Sequence, residues 1–164
     1  MARKPSRELA EGAAAPAFTL PRDGGGTVSL KDFKGRKLVL YFYPKDDTTG
    51  CTREAQDFSA LADAFAADGT WIIGVSKDSP AKHRKFIDKY DLKVSLATDP
   101  DGSVCEAFGT WVEKSMYGRK YMGIERSTFL VDRDGIVKRI WRKVGVPGHA
   151  EEVLAAAREL NAES

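Results

Sequence analysis

Cysteine and histidine are scarce in this chain, with two of each in 164 residues. Cys51 and Cys105 are too few to build the disulfide framework of a small secreted scaffold. Neither belongs to a Cys-x-x-Cys pair, and no His-x-x-x-His spacing occurs, so no metal site and no cofactor are expected. No apolar run approaches the length of a membrane span. Charge of one sign is lacking too: 26 Lys and Arg stand against 24 Asp and Glu, a net +2. That balance gives no argument for nucleic acid or for an anionic membrane as partner. The opening stretch, MARKPSRELAEGAAAPAF, carries charges but no continuous apolar region. No secretory signal is expected from it, and the thiols are expected to stay reduced in a cytoplasm.

What is present suits a globular domain. Hydrophobic residues make up 42% and charged residues 30% of the chain, and the length allows one domain with a sizeable core. Met1 to Ala15 is expected to be a mobile tail, and residues 16–164 a single domain. Ala17 to Leu20 and Val28 to Leu30 flank Asp23-Gly24-Gly25-Gly26 and read as a β-hairpin. The triple glycine lacks a Gly-Lys-Ser/Thr ending and opens no helix, which argues against a phosphate loop. Leu38 to Tyr43 reads as a buried strand and Thr52 to Ala67 as a helix with Phe58, Leu61, Ala62 and Phe65 inward. Trp71 to Ser76 is the next strand. Ser79 and Pro80 mark the start of a second helix. Val94 to Ala97 is a short strand, and a short helix carries Val104, Cys105 and Phe108. Gly109 to Gly123 reads as an irregular, aromatic-rich loop. Ser127 to Asp132 and Ile136 to Lys143 form a hairpin, and Gly148 to Leu160 is the last helix.

Strands alternating with helices imply βαβ units and parallel pairing. A closing antiparallel hairpin and helix complete a thioredoxin-like sheet. The expected fold is therefore α/β, three layers (α/β/α) around a central mixed sheet, with an N-terminal β-hairpin.

The chemistry points to Cys51. Pro44 ends the strand, a polar loop follows, and Cys51 falls where the helix should begin. There it meets unpaired backbone N–H groups and the positive end of the helix dipole, and both favour thiolate over thiol. The alternative is a buried structural cysteine. Pro44, Thr48 and Cys51 match the P-x-x-x-T-x-x-C signature of the peroxiredoxins. The string YFYPKDDTTGCTREAQDF resembles their Q-type branch, the bacterioferritin comigratory proteins. So does the stretch from Gly123 to Asp132, which in that family carries an active-site arginine, here Arg126. The resemblance runs from about Gly12 to Leu160. One departure is that many Q-type members have a resolving cysteine five residues after the first, where this chain has Gln56.

The resemblance implies a thiol peroxidase. Cys51 would attack hydrogen peroxide or an organic hydroperoxide and become a sulfenic acid. Thr48 would accept a hydrogen bond from the peroxide, its other reading being a turn residue. Pro44 would fix the loop's entry and shield the thiolate. Arg126, from the residues alone a solvated side chain, would stabilise the thiolate and the departing oxygen. Glu54 would either orient Arg126 or merely favour the helix N-terminus. His83 is expected to be solvated, and neither it nor His149 is an evident base. Trp111, Tyr117 and Tyr121 are expected to divide between core packing and a collar near the site. An external thiol (thioredoxin, glutaredoxin or a small thiol) is the favoured resolver. A Cys51–Cys105 disulfide is the alternative, and a disulfide between chains a third. A monomer is expected. Two rival functions share the fold. A thiol–disulfide oxidoreductase needs a neighbouring dithiol, where this chain has Glu54. A non-enzymatic binding or holdase module has no need of the Pro44, Thr48, Cys51 and Arg126 set.

Overall fold

A computed structural model describes residues 9–163. Its centre is a five-stranded sheet ordered β5-β4-β3-β8-β9, built from Lys37–Phe42 (β3), Thr70–Ser76 (β4), Ser95–Thr98 (β5), Ser127–Val131 (β8) and Val137–Trp141 (β9). β3, β4 and β5 run parallel, and β8 and β9 pair antiparallel beyond β3. β3 is buried at every position. That is why it reads as a continuous apolar run rather than an alternating one.

Helices Thr49–Ala60 (α1) and Pro80–Tyr90 (α3) connect β3 to β4 and β4 to β5. Both crossovers move the same way across the sheet. Right-handed connection therefore puts both helices on one face. Ala62–Ala67 (α2) and His149–Glu163 (α5) join them there. This face buries Val39, Tyr41 and Tyr43 against Phe58, Phe65, Phe86, Val153 and Leu154. The opposite face buries Leu38, Leu40 and Phe42 against Phe18, Leu20, Phe108 and Phe129. It is covered by Ser103–Ala107 (α4) and by the hairpin of Thr19–Pro21 (β1) and Thr27–Ser29 (β2). The mixed sheet, its two faces and the N-terminal hairpin are the thioredoxin-like arrangement expected from the order of elements.

Four expectations change. Residues 109–123 are not an irregular loop. They contain Trp111–Met116 (β6) and Arg119–Ile124 (β7), paired antiparallel. Their two-residue turn, Tyr117-Gly118, has positive φ at both positions, 52° and 79°, the geometry that matches strand twist in a tight hairpin. Tyr in place of the usual Asn or Asp hides that turn in the sequence. The helix assigned to 52–67 begins at Thr49 and is interrupted at Leu61, so α1 and α2 are separate. The tail assigned to residues 1–15 is tied down wherever it is described, while residues 1–8 lie outside the described residues. Gly12 N–H donates to the Val137 carbonyl at 2.7 Å, Ala15 N–H donates to Gly135 at 2.8 Å, and Ala14 bridges Ile136. His83, expected in solvent, is fully buried.

Candidate active site

β3 ends at Phe42, and the turn that follows delivers α1. Thr48 is the N-cap, with φ −105° and ψ 160°, and Cys51 is the third helical residue. Its N–H therefore belongs to the first turn, where backbone donors have no carbonyl of their own helix to meet. α1 has no acidic side chain in that turn, so the positive end of the dipole is left for the sulfur. The cysteine is only 2% exposed.

Arg126 arrives from far along the chain by strand register. β8 runs antiparallel to β3, and Ser127 pairs with Phe42. The residue before β8 is thereby set beside the end of β3, above the start of α1. Arg126 Nη2 donates to Cys51 Sγ at 3.4 Å and Nη1 to Glu54 Oε1 at 2.8 Å. Burial alone would lower the guanidinium's pKa, but the adjacent Glu54 and Cys51 outweigh it and raise it. Glu54 stands one turn after Cys51 and is 1% exposed. Burial pushes its carboxyl up to about 7, against the opposing pull of Arg126. Of the two readings left open for Glu54, the ion pair with Arg126 is the one the side chains adopt.

Thr48 is exposed, and its hydroxyl donates to the Lys45 carbonyl at 2.9 Å. Its proton is thus committed within the turn, and its lone pairs remain to accept from a ligand. Pro44 is exposed, two residues beyond the end of β3. Cys105 is on the other side of the molecule. It lies in α4 within the apolar layer beneath the opposite face of the sheet, whereas Cys51 belongs to the layer with α1 and α5. Burial and the neighbouring Asp99 push its thiol well up. Trp111 packs partly into the lower layer, and Tyr117 and Tyr121 are exposed, so the aromatics of this stretch divide between core and surface.

Three residues escaped the sequence reading. Gly50 lies so close to Arg126 that a Cβ there would sit 3.0 Å from Nη2. Lys114 on β6 lies within electrostatic reach of both Arg126 and Cys51, and its pKa is lowered by burial first and by Arg126 second. Tyr41 stacks on Phe58, 4.8 Å between centroids. Its phenol pKa is raised well above the ordinary value by burial, then by Glu54 and Cys51. Gly50 carried a signal in the glycine next to a cysteine. The other two are visible only once β6 and β3 are placed. His149 is buried against Phe58 and Trp141, and its Nε2 is 2.8 Å from the Thr128 hydroxyl. Burial lowers its pKa to about 4, which leaves a neutral packing residue at neutral pH.

Known proteins resemble this chain in sequence and in fold. The model of the AhpC/TSA family matches residues 12–140. A putative peroxiredoxin Bcp of Coxiella burnetii is 49% identical over 143 residues, covering 87% of this chain and 95% of that protein. The Bacillus subtilis peroxiredoxin Bcp is 47% identical over 150 residues, covering 92% and 96%. Among solved structures, peroxiredoxin Q of Xanthomonas campestris superposes with a TM-score of 0.83 at 46% identity, covering 87% of this chain and 90% of that one. The same scores hold for a structure of the bacterioferritin comigratory protein of that organism, described as giving insight into its alkyl peroxide reduction activity.

Proposed function

The chain belongs to the AhpC/TSA family and is a peroxiredoxin, and on that premise we propose that Cys51 is the thiol that meets the peroxide and that an external thiol resolves the product. The single observation that carries this reading is the guanidinium of Arg126, 3.4 Å from Sγ and held on its other side by Glu54. A cation fixed in a site that excludes water acts on developing charge with little screening and no reorganisation.

The chemistry follows from that placement. The Cys51 thiolate attacks the terminal oxygen of a hydroperoxide, which is hydrogen-bonded to the Thr48 hydroxyl. The S–O bond forms with the sulfur's electron pair as the O–O bond breaks, and the departing oxygen takes the O–O pair and a proton to leave as water or an alcohol. Arg126 stabilises the thiolate before the step and the leaving oxygen during it. Sulfur is oxidised by two electrons to the sulfenic acid, and the peroxide is reduced by two. A thiol then condenses with the sulfenic acid, releasing water and leaving a mixed disulfide, which a second thiol opens.

The resolving thiol is external on this reading because the sheet lies between the two cysteines. A disulfide needs Cα atoms within about 7 Å and Cβ vectors turned toward each other. Cys51 and Cys105 pack into opposite layers, and β3 with its neighbours fills the space between. A thioredoxin-type dithiol, a glutaredoxin or a small thiol would serve. A monomer is the working unit on this reading. The test is a mass spectrum after one equivalent of hydrogen peroxide with dimedone present. A dimedone adduct on the Cys51 peptide with Cys105 still reduced is expected. An internal Cys51–Cys105 disulfide would overturn the external resolver, and an unoxidised Cys51 would overturn the peroxidase reading.

A further inference from the structure

The turn between β3 and Cys51 is almost wholly solvent-facing: Pro44, Lys45, Asp47, Thr48 and Thr49 are exposed. Beyond the buried Tyr43, Asp46 is the residue of this turn that points inward, 8% exposed. Its Oδ1 accepts from the Tyr43 hydroxyl at 2.5 Å, its Oδ2 is 2.7 Å from His83 Nδ1, and its backbone N–H donates to Asp78 Oδ2 at 2.8 Å. Asp78 in turn accepts from the Ser76 hydroxyl at the end of β4, at 2.7 Å. His83, on α3, is fully buried, with Nε2 3.0 Å from the Ala97 carbonyl of β5.

The protons of this cluster can be counted. A carbonyl only accepts, so Nε2 carries a hydrogen. The short contact from Nδ1 to Asp46 then needs one proton. It sits either on the ring, giving an imidazolium and a carboxylate, or on the carboxyl, giving two neutral groups. In both cases the pair has no net charge, which makes full burial tolerable. None of these hydrogen bonds involves Sγ, and the chemical step described above does not draw on them directly.

We propose that His83 is a positioning residue for Cys51. Acting through Asp46, it clamps the catalytic turn to the ends of β4 and β5, and so fixes the N-cap Thr48 and the first turn of α1 with Sγ under Arg126. The remaining side-chain anchor of the turn is Asp47, which meets Lys89 at 2.8 Å and the Tyr90 hydroxyl at 2.7 Å. Asp47 and Lys89 are exposed and Tyr90 is half-buried, and an exposed ion pair holds little. With Asp46 released, the turn and the first residues of α1 move as one segment. Sγ, now hidden, then becomes reachable by reagents larger than a hydroperoxide while it loses its cation.

This inference rests on Cys51 being the peroxidatic thiol, and the experiment separates the two. In His83→Leu, the rate of oxidation by hydrogen peroxide and the rate of alkylation by iodoacetamide at the Cys51 peptide are measured well below the melting midpoint of each protein. The expected outcome is a split: peroxide oxidation falls by about tenfold or more, and alkylation rises by a comparable factor. Asp46→Ala gives the same split and serves if His83→Leu does not fold. Asp46→Asn retains most of both rates, because its amide can donate to a neutral Nδ1 while its carbonyl accepts from Tyr43. A lowered midpoint in His83→Leu with both rates at wild-type values would overturn the proposal and leave His83 a packing residue. So would an Asp46→Asn protein that shows the full split. Failure of the peroxidase reading would look different, since wild-type Cys51 itself would then not react with peroxide.

Discussion

Cys51 is 2% exposed and Cys105 is fully buried, yet the charges beside them have opposite sign. Cys51 faces the Arg126 guanidinium at the positive end of α1. Cys105 lies in a five-residue helix, and its own backbone N–H is spent on Asp99 Oδ2 at 2.7 Å. Burial and the Asp99 carboxylate both hold it in the thiol form. The pair teaches that burial does not decide whether a cysteine reacts. Burial removes the water that would screen a neighbouring charge, and the sign of that charge then opposes or assists chemistry at the sulfur.

The most severe way to break this contrast is to remove each sulfur in turn. Cys51→Ser is expected to lose peroxide reduction entirely, since Cys105 has neither the cation nor the access to replace it. Cys105→Ser is expected to turn over at the wild-type rate with the same reductant. Steady-state peroxide consumption measures both, and a stalled Cys105→Ser protein would make the two thiols partners.

Next in size is the cation. Arg126→Ala is expected to slow Cys51 oxidation by about 10²–10³-fold, the usual consequence of removing one preorganised charge-stabilising donor. Arg126→Lys is not expected to restore it, because an ammonium cannot bond Sγ and Glu54 with two nitrogens of one planar fork. Stopped-flow traces that overlay the wild type would deny Arg126 its role.

Glu54 sharpens the comparison through pH. Its carboxyl lies at about 7 in the folded chain, above the ordinary value of about 4.3 of an unfolded chain. A raised carboxyl favours the protonated folded state. Its contribution is therefore complete below the unfolded value and is lost as pH rises through about 7. The loss is on the order of 3 kcal/mol. Glu54→Gln has no such loss, so the wild type should weaken relative to it between pH 4.5 and pH 8 in urea denaturation. His149, whose pKa burial lowers, titrates alike in both proteins and cancels. Parallel stability curves would contradict the assignment.

The smallest effect is expected at Thr48. Thr48→Val deletes the bond to the Lys45 carbonyl and the acceptor offered to a peroxide, at nearly constant shape. A loss of roughly 10²-fold in the oxidation rate is expected, with the fold intact by circular dichroism. Unchanged kinetics would make Thr48 only a turn residue.

Legibility in the sequence followed the range of the interaction. Ser79 and Pro80 at the start of α3, the buried strand through Tyr41, and the cysteine opening a helix all rest on contacts a few residues apart, and each is written in local spacing. The hairpin of β6 and β7 is equally local, but Tyr117 occupies a left-handed position where the usual signal is Asn or Asp. His83 misled because its charged neighbours on α3 face water. Its own position faces Asp46, 37 residues earlier, which only the docking of α3 against the turn could reveal.

The sequence alone determined that one cysteine would stand at a helix N-terminus after a buried strand, because strand, stop and helix start are all encoded within the span from Leu38 to Phe65. The order of elements determined the thioredoxin-like sheet, because crossovers have one hand. Only the tertiary structure decided which charges those thiols would feel. Arg126 is 75 residues from Cys51 and reaches it through the antiparallel register of β8 on β3. Cys105 lies below the opposite face because α4 packs there. Spacing along a chain constrains neighbours in the chain, whereas the electrostatics of a buried thiol depend on neighbours in space.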